Sequence, residues 1–267
     1  MHRFSLALIA VLALAFPALA AADDTTIPPP QPILIHIGKT PLVELSDGGG
    51  GLPYLGSPAS YNAGDWENTL RAFHDTGVYD NELAQIDKLA DAYVAKKSHG
   101  AVRAHTRKGH RVRVATLHGR RLAIVLDIDE TSLSNYSAIN ADNFTFGPAS
   151  QAEATNEIGL AIKPTLDLFN LAKSKGIAVF FITGRRENTR AHTTSNLTRE
   201  GYADWAQLVL KPDASTQTTV QYKSGARAAI EQQGYRIIAN VGDQYSDLAG
   251  GHEDLAFKLP NPFYFLP

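Results

Sequence analysis

The chain has no cysteine among its 267 residues. Without thiols there can be no disulfide framework, thiolate zinc centre, iron–sulfur cluster or cysteine nucleophile. Any catalysis must rest on carboxylates, histidines, hydroxyls, amines or a metal held by oxygen and nitrogen. An excess of either charge is also lacking: 25 Lys and Arg against 27 Asp and Glu leave a formal net charge of -2. Such a surface has no global attraction for nucleic acid, which argues against a polyanion-coating protein. With 44% hydrophobic and 19% charged residues, the composition is neither disordered nor collagenous. At roughly 100 to 200 residues per domain, the length allows one substantial domain or two small ones.

Long apolar runs are lacking too, except at the start. His2 and Arg3 precede an apolar run over residues 4–16, Pro17 breaks it, and Ala18-Leu19-Ala20 supplies the small residues that a signal peptidase accepts. The run is shorter than the ~20 residues a membrane anchor needs, and no later stretch is long enough to span a bilayer. Residues 1–20 read as a removable secretory signal with no lipoprotein cysteine behind it. The product is expected to be periplasmic or secreted, with no membrane attachment after the signal is removed.

Residues 21–66 carry Pro28-Pro29-Pro30 and a glycine run at 48–51 and lack a sustained period, which predicts an extended leader wrapping the surface. Over residues 79–97, Leu83, Ile86, Leu89, Ala90 and Tyr93 recur at helical spacing, with Asp80 as the expected N-cap. Together with a basic connector over residues 103–121, expected to be a solvated linker, this makes a helical N-terminal segment over 67–121. From residue 122 onward, short apolar runs alternate with helical ones. Strands are predicted at 122–126, 177–182, 207–210, 236–241 and 255–259, and helices at 164–175, 186–200 and 220–233, followed closely by Gly176, Gly201 and Gly234.

Nearly continuous apolar strands separated by helices imply a parallel sheet with helices on both faces, and in such sheets ligands sit beyond the carboxyl ends of the strands. The residues following the strands are Asp127-Ile128-Asp129-Glu130-Thr131, Thr183-Gly184-Arg185, Lys211-Pro212-Asp213 and the run from Gly242 through Asp243 to Asp247. Any one of these is an ordinary turn former. Together, at one edge of one sheet, the carboxylates form an all-oxygen site of the kind a hard cation such as magnesium prefers.

The strings LAIVLDIDET, FFITGR, the lysine of QYKSGAR, and NVGDQYSDL resemble, in order, the four motifs of the haloacid dehalogenase superfamily of aspartate-nucleophile phosphatases. The spellings DIDETSLSN, YKS and GDQYSDL, with the closing KLPNPFYF, are similar to secreted acid phosphatases of class B and related plant vegetative storage proteins. The resemblance implies a Rossmann-like α/β fold, a parallel sheet flanked by helices, with a small helical cap and N-terminal helical decoration. The core would span 122–267, with the cap inserted at about 131–163.

It also implies roles. Asp127 would be the nucleophile and Asp129 the general acid and base, which requires Asp129 to hold its proton more tightly than Asp127. Mg2+ or another divalent cation would be bound by the Asp127 side chain, the Asp129 backbone carbonyl and Asp243, with Asp247 ordering metal-bound water or a lysine. Thr183 and the backbone N–H groups of Ile128 and Gly184 would hold the phosphoryl oxygens, and Arg185 would reach the substrate. Two lysines compete for the stabilising role: Lys211 directly follows a strand, but Lys223 lies in the YKS string and is favoured. The substrate would be a small phosphomonoester and not a nucleic-acid polymer.

The cap insert contains Tyr136, Phe144 and Phe146, whose rings could stack on a nucleobase or aryl leaving group. Asn135, Asn143 and Asn196 begin glycosylation-type triplets. A storage or binding protein with little activity on the same fold is the rival reading; an intact Asp127 favours an enzyme. A phospho-receiver switch would not carry an export signal or this fourth-motif spelling.

Overall fold

The computed structural model describes residues 30–46, 67–107 and 110–266, with backbone alone for the hairpin residues up to 112. The expected signal and most of the expected leader lie outside these residues. In chain order the strands are β1 Pro32–Ile37, β2 Thr40–Leu45, β3 Val102–Arg107, β4 His110–Leu117, β5 Arg120–Leu126, β6 Leu133–Ser134, β7 Leu160–Ala161, β8 Ala178–Arg186, β9 Gln207–Lys211, β10 Tyr235–Gly242 and β11 Ala256–Lys258. The helices are α1 Glu67–Asp75, α2 Val78–Ser98, α3 Tyr136–Ala141, α4 Pro148–Asn156, α5 Lys163–Ser174, α6 Arg190–Arg199, α7 Thr219–Gln232 and α8 Tyr245–Leu248.

Among the described residues, one sheet runs β1-β2-β11-β10-β5-β8-β9, parallel from β2 to β9, with β1 antiparallel at one edge. The strand alternation on β5 sorts the core into two halves. Leu122, Ile124 and Leu126 join a cluster with Leu83, Ile86 and Ala90 of α2 and Leu168 and Phe169 of α5. Ala123 and Val125 face the other way, toward Tyr222 and Ile230 of α7. Burying each such aliphatic side chain stabilises the fold by about 1.5 to 3 kcal/mol, which explains why the runs predicted as strands are almost wholly apolar.

Three expectations change. The leader contributes the hairpin β1–β2, and β2 pairs with β11 in parallel, so this segment is part of the sheet rather than a surface wrap. The basic connector is not a linker: β3 and β4 form an antiparallel hairpin, and β4 pairs with the start of β5 at Thr116↔Arg121 and Leu117↔Arg120. Gly176 belongs to this junction, since a Cβ there would come within 2.5 Å of the Arg113 backbone. The N-cap of α2 is Gly77 rather than Asp80, which sits in the first turn and complements the helix dipole.

Candidate active site

The strand register lines up the functional residues. Leu126 of β5 is level with Val241 of β10 and Phe181 of β8, so Asp127, Asp243 and Thr183 emerge at the same carboxyl edge. The β8–β9 ladder steps from Thr183↔Leu210 to Arg186↔Lys211, a bulge that throws Gly184 and Arg185 out of the pairing and into the pocket. Gly242 allows a close approach: a Cβ at this position would meet the Asp247 side chain at 2.7 Å.

Asp127, Asp243 and Asp247 are all buried and offer carboxylate oxygens within 4.8 Å of one another. Lys223, delivered from the first half of α7, donates to the Asp127 carboxylate and lies 2.7 Å from Asp247. Of the two candidate lysines it is the buried one. Lys211 stands at the pocket rim and donates to the Gln217 carbonyl at 2.7 Å. Burial, together with the charges of Asp247 and Asp243, raises the proton affinity of Asp127 against the pull of Lys223. Burial and Asp247 push the pKa of Asp243 up to about 6. Three carboxylates facing one ammonium leave two negative charges to balance, which suits a divalent cation with hard oxygen ligands.

Asp129 stands apart from this cluster. Arg185 donates to its carboxylate from Nε at 2.9 Å and from Nη2 at 2.6 Å, and Asn135 donates from Nδ2 at 2.9 Å. Burial acts to raise its pKa, but the charge and hydrogen bonds of Arg185 outweigh it and hold the carboxyl below its ordinary range. The protein groups by themselves favour the proton on Asp127, because the arginine sits on Asp129 while the like charges crowd Asp127; the expected order is that of a site in which a cation holds Asp127 ionised. Arg185 is itself 7% exposed, and its Nη1 has no partner among the described residues, leaving a buried N–H facing the pocket. Thr183 Oγ1 accepts from the Arg185 N–H at 3.0 Å, which leaves the hydroxyl proton for a ligand.

The pocket has a volume of about 370 Å³ and is roofed by α4. Phe146 is 79% exposed and lines the pocket, whereas Tyr136 and Phe144 pack on Phe263 at ring distances of 5.4 and 6.0 Å and serve the core. Glu153 of α4 also lines it; burial and the Asp129 charge push its pKa up to about 8. Asn135 and Asn196 are fully buried in hydrogen-bonded positions and present no acceptor for a glycan.

Several residues of the site lie within the motif strings but had no role assigned from sequence. Thr131 Oγ1 donates to Asp243 at 3.0 Å, and Gln244 and Asn261 each donate to its other oxygen at 2.7 Å. Arg227, one helical turn beyond Lys223, is fully buried and donates from Nη1 to the Asp247 carbonyl at 2.6 Å and from Nε to the Gly251 carbonyl at 2.8 Å. The segment after β11 supplies Asn261 and Tyr264; its spelling was part of the resemblance, but nothing in it marked a role.

The chain is 39% identical to the stem 28 kDa glycoprotein of Glycine max over 150 residues, covering 53% of this chain and 59% of that protein. It is 36% identical to acid phosphatase 1 of Solanum lycopersicum over 148 residues, covering 53% and 58%. With vegetative storage protein 1 of Arabidopsis thaliana the identity is 34% over 148 residues, covering 54% and 55%. The chain thus spans between half and three-fifths of the length of these relatives. Among solved structures, the class C acid phosphatase from Bacillus anthracis superposes with a TM-score of 0.58 at 18% identity, covering 76% of this chain and 86% of that one, a likeness of fold. Residues 77–267, which hold every site residue above, match the family described as HAD superfamily, subfamily IIIB (acid phosphatase), and the chain belongs to that family.

Proposed function

We propose that the protein is an exported, metal-dependent acid phosphatase that hydrolyses phosphate monoesters through an aspartyl phosphate on Asp127. The observation that carries this reading is the division of the two aspartates. Asp127 is paired with Lys223 inside an acidic cluster, while Asp129, two residues on, is held outside the cluster by Arg185. In the first step a carboxylate oxygen of Asp127 attacks phosphorus, the phosphorus–ester oxygen bond breaks, and Asp129 gives its proton to the leaving alkoxide. In the second, Asp129 takes a proton from water as that water attacks phosphorus, which releases inorganic phosphate and restores the Asp127 carboxylate.

The barrier to be overcome is the approach of one anion to another, so positive charge and fixed donors do most of the work. Lys223, the Thr183 hydroxyl, the N–H groups of Ile128 and Gly184, and the free Nη1 of Arg185 would surround the phosphoryl oxygens. Mg2+ or another divalent cation, held by the Asp127 and Asp243 side chains and the Asp129 carbonyl with Asp247 alongside, would supply further positive charge to those oxygens and keep Asp127 ionised. Asp129 must carry a proton to act as the acid, and Arg185 opposes this, which favours turnover in acidic solution. The export reading is supported by the signal-like residues 1–20; among the described residues, no helix is long and apolar enough to cross a membrane.

One relative is named an acid phosphatase and another a storage protein. The intact pairing of Asp127 with Lys223 supports the enzymatic reading here. Hydrolysis of p-nitrophenyl phosphate decides it: activity should vanish with chelator, return with Mg2+, and fall by roughly 10³-fold or more in Asp127→Asn. A fully active variant, or a parent inactive with Mg2+ present, would overturn the proposal.

A further inference from the structure

We infer that Asn261, in the segment that follows β11, is a positioning residue of the metal site that fixes the carboxylate of Asp243. The inference rests on the metal-dependent reading above. Asn261 Nδ2 donates to Asp243 Oδ2 at 2.7 Å, Gln244 Nε2 donates to the same oxygen at 2.7 Å, and Thr131 Oγ1 donates to Oδ1 at 3.0 Å. Three separate parts of the chain thus converge on one carboxylate. All three donors are neutral. They satisfy lone pairs and fix the plane of the group without cancelling its charge, so the negative charge a cation needs is retained. The buried ammonium of Lys258 is turned elsewhere, donating to the Leu259 carbonyl at 2.7 Å.

Asn261 is itself held in place from both sides. Its Oδ1 accepts from the Phe263 N–H at 2.9 Å, and the Phe263 ring is buried against Tyr79 at 5.0 Å and Tyr136 at 5.4 Å. Beyond it, Tyr264 donates to Glu130 at 2.6 Å, the Leu266 N–H donates to Gln244 Oε1 at 3.1 Å, and Ser246 donates to the Leu266 carbonyl at 3.0 Å. The donor on Asp243 is therefore preorganised by contacts to both the first and the fourth motif loops. A ligand that must be ordered at the moment of metal binding costs affinity; this one is already ordered.

The test is calorimetric titration of the full chain with Mg2+ alone, for the parent, Asn261→Ala and Asn261→Ser. Serine keeps an oxygen that can accept from the Phe263 N–H, as in an ordinary hydroxyl turn, but is too short to reach Asp243. It separates loss of the turn from loss of the Asp243 contact, and it carries the comparison if the alanine variant unfolds. Both variants should bind Mg2+ roughly 10- to 100-fold more weakly and need correspondingly more Mg2+ for half-maximal phosphatase activity, while Asn261→Ser keeps the parent's melting temperature in chelator. A folded variant with the parent's Mg2+ affinity overturns the inference alone. A parent that binds no Mg2+ overturns the metal-dependent reading and this inference with it.

Discussion

Replacing Asp87 by asparagine should remove a pH-dependent weakness in the docking of α2 on the core. Asp87 is 1% exposed; its Oδ2 accepts from Thr165 Oγ1 of α5 at 3.0 Å, and its Oδ1 has no partner among the described residues. Burial outweighs that hydrogen bond and, with Asp91 and Asp167 nearby, pushes the pKa from 3.8 up to about 8. The folded chain keeps a proton that the unfolded chain gives up above about 4. The stabilisation is complete below that point, is lost steadily as pH rises, and is gone above about 8. Each pH unit in this window costs about 1.4 kcal/mol, a ceiling on the order of 5 kcal/mol in total. That is comparable with the whole stability of an ordinary domain, about 5 to 15 kcal/mol. Asparagine keeps the shape and the carbonyl acceptor for Thr165 and cannot ionise. Urea unfolding of both proteins in chelator, from about pH 5 to about pH 8.5, should show a gap that widens by several kcal/mol in favour of the variant as pH rises. Asp91, partly buried and raised to about 6, adds a slope of the same sign to both proteins and cancels in the difference. Parallel pH curves would mean that Asp87 does not hold a proton in the folded chain.

Lys223→Met removes the ammonium that faces Asp127 and Asp247 and should lower kcat for an aryl phosphate by roughly 10²- to 10³-fold at saturating Mg2+; a loss below tenfold would contradict its role. Arg185→Gln releases Asp129 from the charge that holds its pKa down. The alkaline limb of kcat/KM, where the acid loses its proton, should then move to higher pH even as kcat/KM falls with the lost substrate donor, and a limb that stays in place would count against the assignment. Phe146→Ala should reduce kcat/KM for aryl phosphates about fivefold more than for alkyl phosphates, equivalent to about 1 kcal/mol of ring contact. Equal losses on the two substrates would mean that the Phe146 ring does not stack on the leaving group.

The parallel centre of the sheet was legible because β5, β8 and β10 are buried on both faces and so read as unbroken apolar runs ending in Asp127, Thr183-Gly184-Arg185 and Asp243. The edges were not. In β3–β4 the arginines and histidines resemble a solvated linker, and only the pairing of β4 with β5, a tertiary fact, makes a hairpin of them. The leader hairpin β1–β2 is stabilised by β11, more than 200 residues away in sequence, which no local period can signal. In the site, the charged residues could be read from their places at strand ends, whereas Asn135, Gln244 and Asn261 are neutral and matter only through the carboxylates they meet. The hold of Arg185 on Asp129 was not legible for a related reason, since it depends on which aspartate the bulged arginine reaches.

Asp127 is proposed to form the covalent bond to phosphorus, and that bond can be trapped. The Mg2+-loaded enzyme is acid-quenched during turnover, any acyl phosphate is reduced with borohydride, and the peptide that carries residue 127 is mapped by mass spectrometry. Asp127 should be converted to homoserine in the parent, dependent on substrate and lost with chelator. Turnover with no modification at Asp127, or with the phosphoryl group trapped on another side chain, would contradict it.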